Sequence, residues 1–319
     1  EIRIHEELMK SKFRTEDPNE AEFFYIPIYG ECRLFKEIKE NGHKQGFKLT
    51  NKWYLDAFNS IVQDYPFWNR TQGRDHVWPF PGARGPHIFA DWKKHIRKSI
   101  FLTPEGDRSL GEQFNTWKDI IIPGLENDEV FLKGTLRKKD IKRDIFAYFK
   151  GTIRNREGKS YSRGIRIKMQ ENLKNAKDVI FAQPVGGCNH RCYAEEMRRS
   201  TFCLCPRGWS PWTLRAYQAM MVGCIPVVLA DEIEFPFENT LNWANLTVKI
   251  AEADSDKVLQ ILRAIPQEEI EAKRNYIDQV WRMVSYPKPS RSDDAFHAIM
   301  RELGRKRRTM KASTKTTWL

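Results

Sequence analysis

The sequence predicts an α/β protein of two Rossmann-like domains facing a cleft, and three observations carry that reading. Short apolar runs rich in β-branched and aromatic residues alternate with segments of helical period along the chain. The alternation stops once, over the polar stretch 124–143, and then restarts. At 319 residues the chain is long enough for two cores of ordinary size. Strands separated by helices lie parallel in a sheet covered on both faces, and such sheets bind ligands beyond the carboxyl ends of their strands.

In the first half, "FFYIPIY" (23–29), "HVWPF" (76–80), "SIFLTP" (99–104) and "DIIIP" (119–123) read as buried strands. The segments 51–65 and 88–98 have helical spacing. In the second half, "DIFAYFKG" (144–151), "DVIFAQP" (178–184), "TFCLCP" (201–206), "CIPVVLA" (224–230) and "LTVKI" (246–250) read as strands, with helices over 162–176 and 193–200 and another opening at Ser210. The expected domains are 1–140 and 141–290, with a C-terminal helix and basic tail over 291–319.

Composition narrows the function classes. A hydrophobic content of 40% with 12% aromatic residues is globular. No uninterrupted apolar stretch is long enough to cross a bilayer. The opening "EIRIHEELMK" is neither a signal peptide nor a methionine start, so it reads as an excised piece with any anchor upstream. The net charge of +12 suggests nucleic acid, but residues 301–319 hold seven Lys and Arg against one Glu. Half of the excess is therefore terminal, and the mildly basic body suits a small anionic ligand equally well. No nucleic-acid partner is expected.

The strongest local signal is "CPRGWSPWTLRAYQAMMVGCIPVVLAD" (205–231). Ser210 and Pro211 suit the cap and first position of a helix, and Gly223 suits its left-handed stop. The free N–H groups of such a mouth favour an anion. Gly208 would let backbone approach that anion, with Trp209 and Ser210 beside it. Arg215 could add a bidentate charge to phosphate oxygens, and Gln218 on the same face could hydrogen-bond a ribose hydroxyl. Read without the wider pattern, the same residues could be only a helix start and a surface cation.

The pattern as a whole resembles the exostosin-type glycosyltransferases, family 47. That family reads Phe-Cys-Leu-x-Pro-x-Gly, then Arg-x-x-Glu, then Gly-Cys-Ile-Pro-Val and Leu-Pro-Phe, against "FCLCPRGWSPWTLRAYQAMMVGCIPVVLADEIEFPFE" here. "SKFRTEDPNEAEFFYIPIY", "YPFWNRTQGRDHVWPFP", "LTPEGDR", "KDIIIP", "FKGTIRNREGKSYSRGIR" and "DDAFHAIM" resemble further family blocks in order, so the likeness covers nearly the whole chain, closest to plant and algal members.

The resemblance implies a GT-B architecture, with an acceptor-side domain followed by a nucleotide-sugar domain. It implies inverting transfer from a UDP-sugar to a polysaccharide or glycoprotein glycan, with no metal and no cofactor beyond the donor. It also implies residence in the Golgi lumen as a type II membrane protein, alone or in an oligomer with itself or another glycosyltransferase. Arg215 falls on the family arginine that meets the diphosphate. Gln218 falls where the family has a ribose-binding glutamate, so restoring Glu there should tighten donor binding. That departure keeps a second function open, a glycan-binding or co-polymerase subunit with weak or lost turnover. Resemblance to family blocks also favours Arg154 and Arg166, with Gly151, as further donor contacts.

Other candidates come from the residues alone. Asp75 and His76, in "GRDH", have the chemistry of a base for an acceptor hydroxyl, with a structural histidine hydrogen-bonded across the domain interface as the alternative. Glu105 and Asp107, in "TPEGDR", are comparable. "DSD" (254–256) reads as a helix start rather than a metal site. Cys188 and Cys192 suit a disulfide better than zinc, Cys224 reads as packing, and the pairing of the six cysteines is not readable. Asn69 and Asn245 head N-glycosylation triplets.

Overall fold

A computed structural model describes residues 1–110, 114–132, 141–155, 158, 161–183 and 188–312. The chain divides into two compact units, one of Glu1–Ile122 with the chain from Phe296 onward, the other of Pro123–Ala295. The expected boundary at 140/141 therefore moves back to 122/123. Part of the stretch read as a linker belongs to the second unit, where the Tyr286 hydroxyl donates to the Pro123 carbonyl at 3.2 Å. The C-terminal helix is likewise no separate module. Phe296 and His297 meet the ring of Phe13, and Lys306 Nζ donates to the Trp117 carbonyl at 2.8 Å.

The first unit is built on a parallel sheet, β1 (Phe24–Tyr25), β2 (His76–Pro79), β3 (Ile100–Thr103) and β4 (Ile120–Ile121), in that spatial order. Every residue of β2 and β3 is buried, as expected of strands covered on both faces. The crossover from β1 to β2 runs through two long helices, Gly30–Asn41 and His43–Asp64. The first was not legible, because its apolar stripe is thin and its outer face is charged. Leu34, Tyr54, Trp78, Phe80, Phe89 and Phe101 fill the core.

The second unit has the parallel strands β5 (Ile145–Lys150), β6 (Val179–Ala182), β7 (Ser200–Pro206), β8 (Ile225–Leu229) and β9 (Val248–Lys249), ordered β6-β5-β7-β8-β9. The chain goes out from β5 to β6, then returns to add β7 on the other side. The strand order thus reverses between β5 and β7, and the crevice beyond their carboxyl ends is where such a sheet takes its ligand. A disulfide joins Cys203 in β7 to Cys224 at the entry to β8, so Cys224 is bonded rather than simply packed. Cys188 and Cys192 form the second disulfide, as their reading favoured over zinc.

Candidate functional site

The residues at the switch point are those that end β5 and β7. After β7 the chain makes a tight turn, with Gly208 N–H donating to the Ser210 carbonyl at 2.9 Å. The helix then opens three residues later than expected. Its N-cap is Thr213, whose hydroxyl accepts from Arg215 N–H at 3.4 Å, and it spans Leu214–Val222. Ser210 is buried in the turn instead. Within the delayed interval Trp212 lies against Gly124, where even a methyl group would sit 2.8 Å from the indole. The stop is as expected, with Gly223 at φ 74°.

The late start puts Arg215 in the first turn, and its guanidinium reaches back over β5. Nη2 donates to the Lys150 carbonyl at 2.8 Å and Nε to the Tyr193 hydroxyl at 3.0 Å. Nη1 is buried and has no hydrogen-bond partner among the described residues. Gly151 is what admits the side chain, since a methyl group there would lie 2.8 Å from Nη2. Burial opposes the charge, but Tyr193 and Cys205 outweigh it and hold the arginine above its ordinary pKa.

Arg166 faces the same ring as Arg215. Phe149 lies 4.5 Å from the Arg215 guanidinium carbon and 5.2 Å from that of Arg166. Burial, and then the charge of Arg215, push Arg166 down to about 10. Its three nitrogens donate to the carbonyls of Arg207, Thr152 and Pro206, at 3.1, 2.7 and 3.2 Å. Arg166 therefore clamps the ends of β5 and β7 with three of its five N–H groups and contributes charge. The turn before its helix is strained, with Ser162 and Arg163 at φ 62° and 52° ahead of Gly164.

The remaining expected residues divide. Trp209 stands 69% exposed at the crevice, its backbone N–H donating to the Tyr161 hydroxyl at 3.0 Å. Gly208 is hemmed in by Tyr161 and Arg166, with 3.0 Å from a Cβ to the tyrosine oxygen. Arg154 is exposed and turned to the Gly158 carbonyl, 3.5 Å away, so it is not brought to the Arg215–Arg166 pair. Gln218 faces the site but is engaged, donating to Glu126 at 2.6 Å. A glutamate at 218 would place two carboxylates in contact, which reverses the expectation that it would tighten binding.

Asp75 and His76 lie elsewhere. They stand at the amino end of β2, opposite to the carboxyl ends where ligands bind. His76 is 2% exposed and packs against Phe24 and Trp68. Asp75 accepts from His76, Thr71 and Arg70 at 2.8, 2.6 and 3.0 Å. Burial alone would raise its carboxyl, but these bonds prevail and hold it below the usual range. His76 is thus hydrogen-bonded to its sequence neighbour within the first unit. Glu105 and Asp107 do follow the carboxyl end of β3.

Two site residues carried no sequence signal, Tyr193 and Glu126. Tyr193 sits on the helix His190–Arg198, and nothing local ties it to Arg215. Glu126 lies in the stretch read as linker. The "DSD" run makes no helix cap, since the helix Val258–Arg263 begins from Lys257, to which Asp254 is paired at 2.7 Å. Asn69 and Asn245 are both exposed.

A reversed-order parallel sheet carrying two arginines, with no carboxylate paired with Arg215 among the described residues, makes the β5/β7 crevice the candidate site. Comparison with known proteins gives the chain its family. The exostosin GT47 domain matches residues 1–265. A probable glucuronosyltransferase of Oryza sativa subsp. japonica is 35% identical over 322 residues, covering 96% of this chain and 74% of the relative. The probable beta-1,4-xylosyltransferase IRX10 of Arabidopsis thaliana is 33% identical over 320 residues, with 96% and 75% covered. The chain belongs to the exostosin GT47 family and is a glycosyltransferase.

Proposed function

We propose that the protein moves a sugar from a UDP-sugar to a glycan acceptor with inversion and without a metal, the second unit holding the donor. The observation that supports this most is the buried, unpartnered Nη1 of Arg215 at the β5/β7 crevice, beside a second arginine that its charge already disfavours. An anion there relieves both the unmade hydrogen bond and the repulsion. The acceptor oxygen attacks the anomeric carbon, the bond to the diphosphate breaks, and UDP leaves with its new charge met by Arg215 and the first-turn N–H groups. The acceptor proton passes to a general base.

The names of the relatives make UDP-glucuronic acid and UDP-xylose the first donors to try. The reading includes a Golgi-lumen location, which suits two exposed acceptor asparagines and the Cys203–Cys224 disulfide. No helix among the described residues is long and apolar enough to cross a membrane. The test is incubation with each UDP-sugar, with and without oligosaccharide acceptors, scored as UDP release and product anomer. Transfer giving the inverted anomer with a chelator present supports the proposal. A retained anomer, or transfer that stops on chelation, contradicts it. A second reading, a glycan-binding or co-polymerase subunit, draws support from the neutral Gln218 and predicts UDP binding without turnover.

A further inference from the structure

We infer that Glu126 is the hydroxyl-reading carboxylate of this site and that Gln218 is its positioning residue; the inference rests on the donor-site reading above. The segment that carries Glu126 is laid along the mouth of the helix Leu214–Val222. Gly124 packs on Trp212, Glu126 meets Gln218, and Phe131 turns an edge toward Tyr193, ring centres 6.4 Å apart. Glu126 is only 7% exposed. One oxygen accepts from the Asp128 N–H at 2.7 Å, the other from Gln218 Nε2 at 2.6 Å.

No cation balances it among the described residues. A buried carboxylate without one is expensive to keep, and a neutral amide could hold the Asp128 N–H equally well. The packing therefore does not account for the charge. A carboxylate offers about four acceptor positions, and two are used. The nearest chemistry narrows what takes the rest. Gln218 lies three residues beyond Arg215, so the carboxylate stands one helical turn from the guanidinium that awaits an anion. A phosphate is repelled by Glu126, whereas a hydroxyl donates to it. The arrangement fits a ligand that carries phosphate and a vicinal diol about a turn apart. Both the ribose of the nucleotide and the transferred sugar supply such a diol.

The experiment titrates the full chain calorimetrically with UDP, 2′,3′-dideoxy-UDP and a UDP-sugar, with thermal melts confirming that each variant folds. The wild type should prefer UDP over its dideoxy analogue by about tenfold or more, the scale of charge-assisted hydrogen bonds. Glu126→Gln should abolish that preference while leaving affinity for the dideoxy form within about threefold, below the effect of one lost net hydrogen bond. Gln218→Glu should weaken UDP, and the exchange Glu126→Gln/Gln218→Glu should restore the preference, since it rebuilds the carboxylate–amide pair with partners reversed. If the loss in Glu126→Gln appears only with the UDP-sugar, the diol read is that of the transferred sugar, and the assignment of Glu126 stands. Unchanged affinities for UDP and the UDP-sugar in Glu126→Gln, or an equal loss with all three ligands, would overturn it. Absence of UDP binding by the wild type would sink the donor-site reading as well, which separates the two failures.

Discussion

Two buried clusters of charge, one in each unit, are arranged in opposite ways. In the first unit, the buried Lys118 and Asp75 each find a counter-charge. Lys118 Nζ meets Asp119 at 2.5 Å and the Ser99 carbonyl at 2.8 Å, and Asp119 also accepts from the Phe101 and Asn115 N–H groups. Burial lowers the lysine and raises the aspartate, each opposed by the other's charge. Asp75 is similarly surrounded by His76, Thr71 and Arg70. In the second unit Arg215 and Arg166 share one phenylalanine ring, and among the described residues neither is paired with a carboxylate and Glu126, a turn away, is paired with no cation. Paired burial holds a fold together. Unpaired burial of opposite charges in one crevice marks the place of a ligand carrying both an anion and hydroxyls.

That contrast can be broken from either side. The largest effect is expected for Asp119→Ala, which strands a fully buried ammonium and should reduce stability by about 3–5 kcal/mol in denaturant titration. A change below about 1 kcal/mol would mean that the pair is not integral to the first unit. His76→Ala comes next. It removes a ring packed against Phe24 and Trp68 and should lower stability by about 2 kcal/mol or more. It should leave kcat/KM for transfer within about threefold, whereas a base that takes the acceptor proton would cost at least a hundredfold.

Gly151→Ala should act in the opposite sense. A methyl group 2.8 Å from Arg215 Nη2 displaces the guanidinium, so UDP affinity should fall by about 1 kcal/mol, with a smaller change in melting temperature than that of His76→Ala. The smallest effect concerns pH. A carboxyl held below its ordinary pKa stabilises the fold above the unfolded value, near 3.9, and that contribution is lost as pH falls through the lower folded value. Asp75→Asn should therefore flatten the acid side of the stability profile and leave UDP binding at neutral pH unchanged.

What was legible in the sequence followed the same division. The strands of both sheets were readable because apolar runs such as "CIPVVLA" and "SIFLTP" are local signals, and Gly223 marks a helix end wherever it occurs. The helix start was misread at Ser210 because a cap preference is weak, and contact between Trp212 and the distant Gly124 accompanies the later start at Thr213. Arg215 was identifiable from the motif around it. Tyr193, which it bonds, and Glu126, which meets Gln218, were not, since each reaches the site through tertiary packing that leaves no local spacing to read. His76 reads as a base by residue type alone, and its burial at the amino end of β2 against Phe24 and Trp68 is tertiary information the sequence does not carry.

The central claim is that Arg215 awaits an anion, and one titration tests it most directly. UDP is titrated calorimetrically into the wild type and into Arg215→Ala, both shown to be folded. The unmade bond at Nη1 predicts that the variant loses about 1.5–3 kcal/mol of UDP affinity, the range for hydrogen bonds to charged groups. Equal UDP affinity in the two proteins would contradict it.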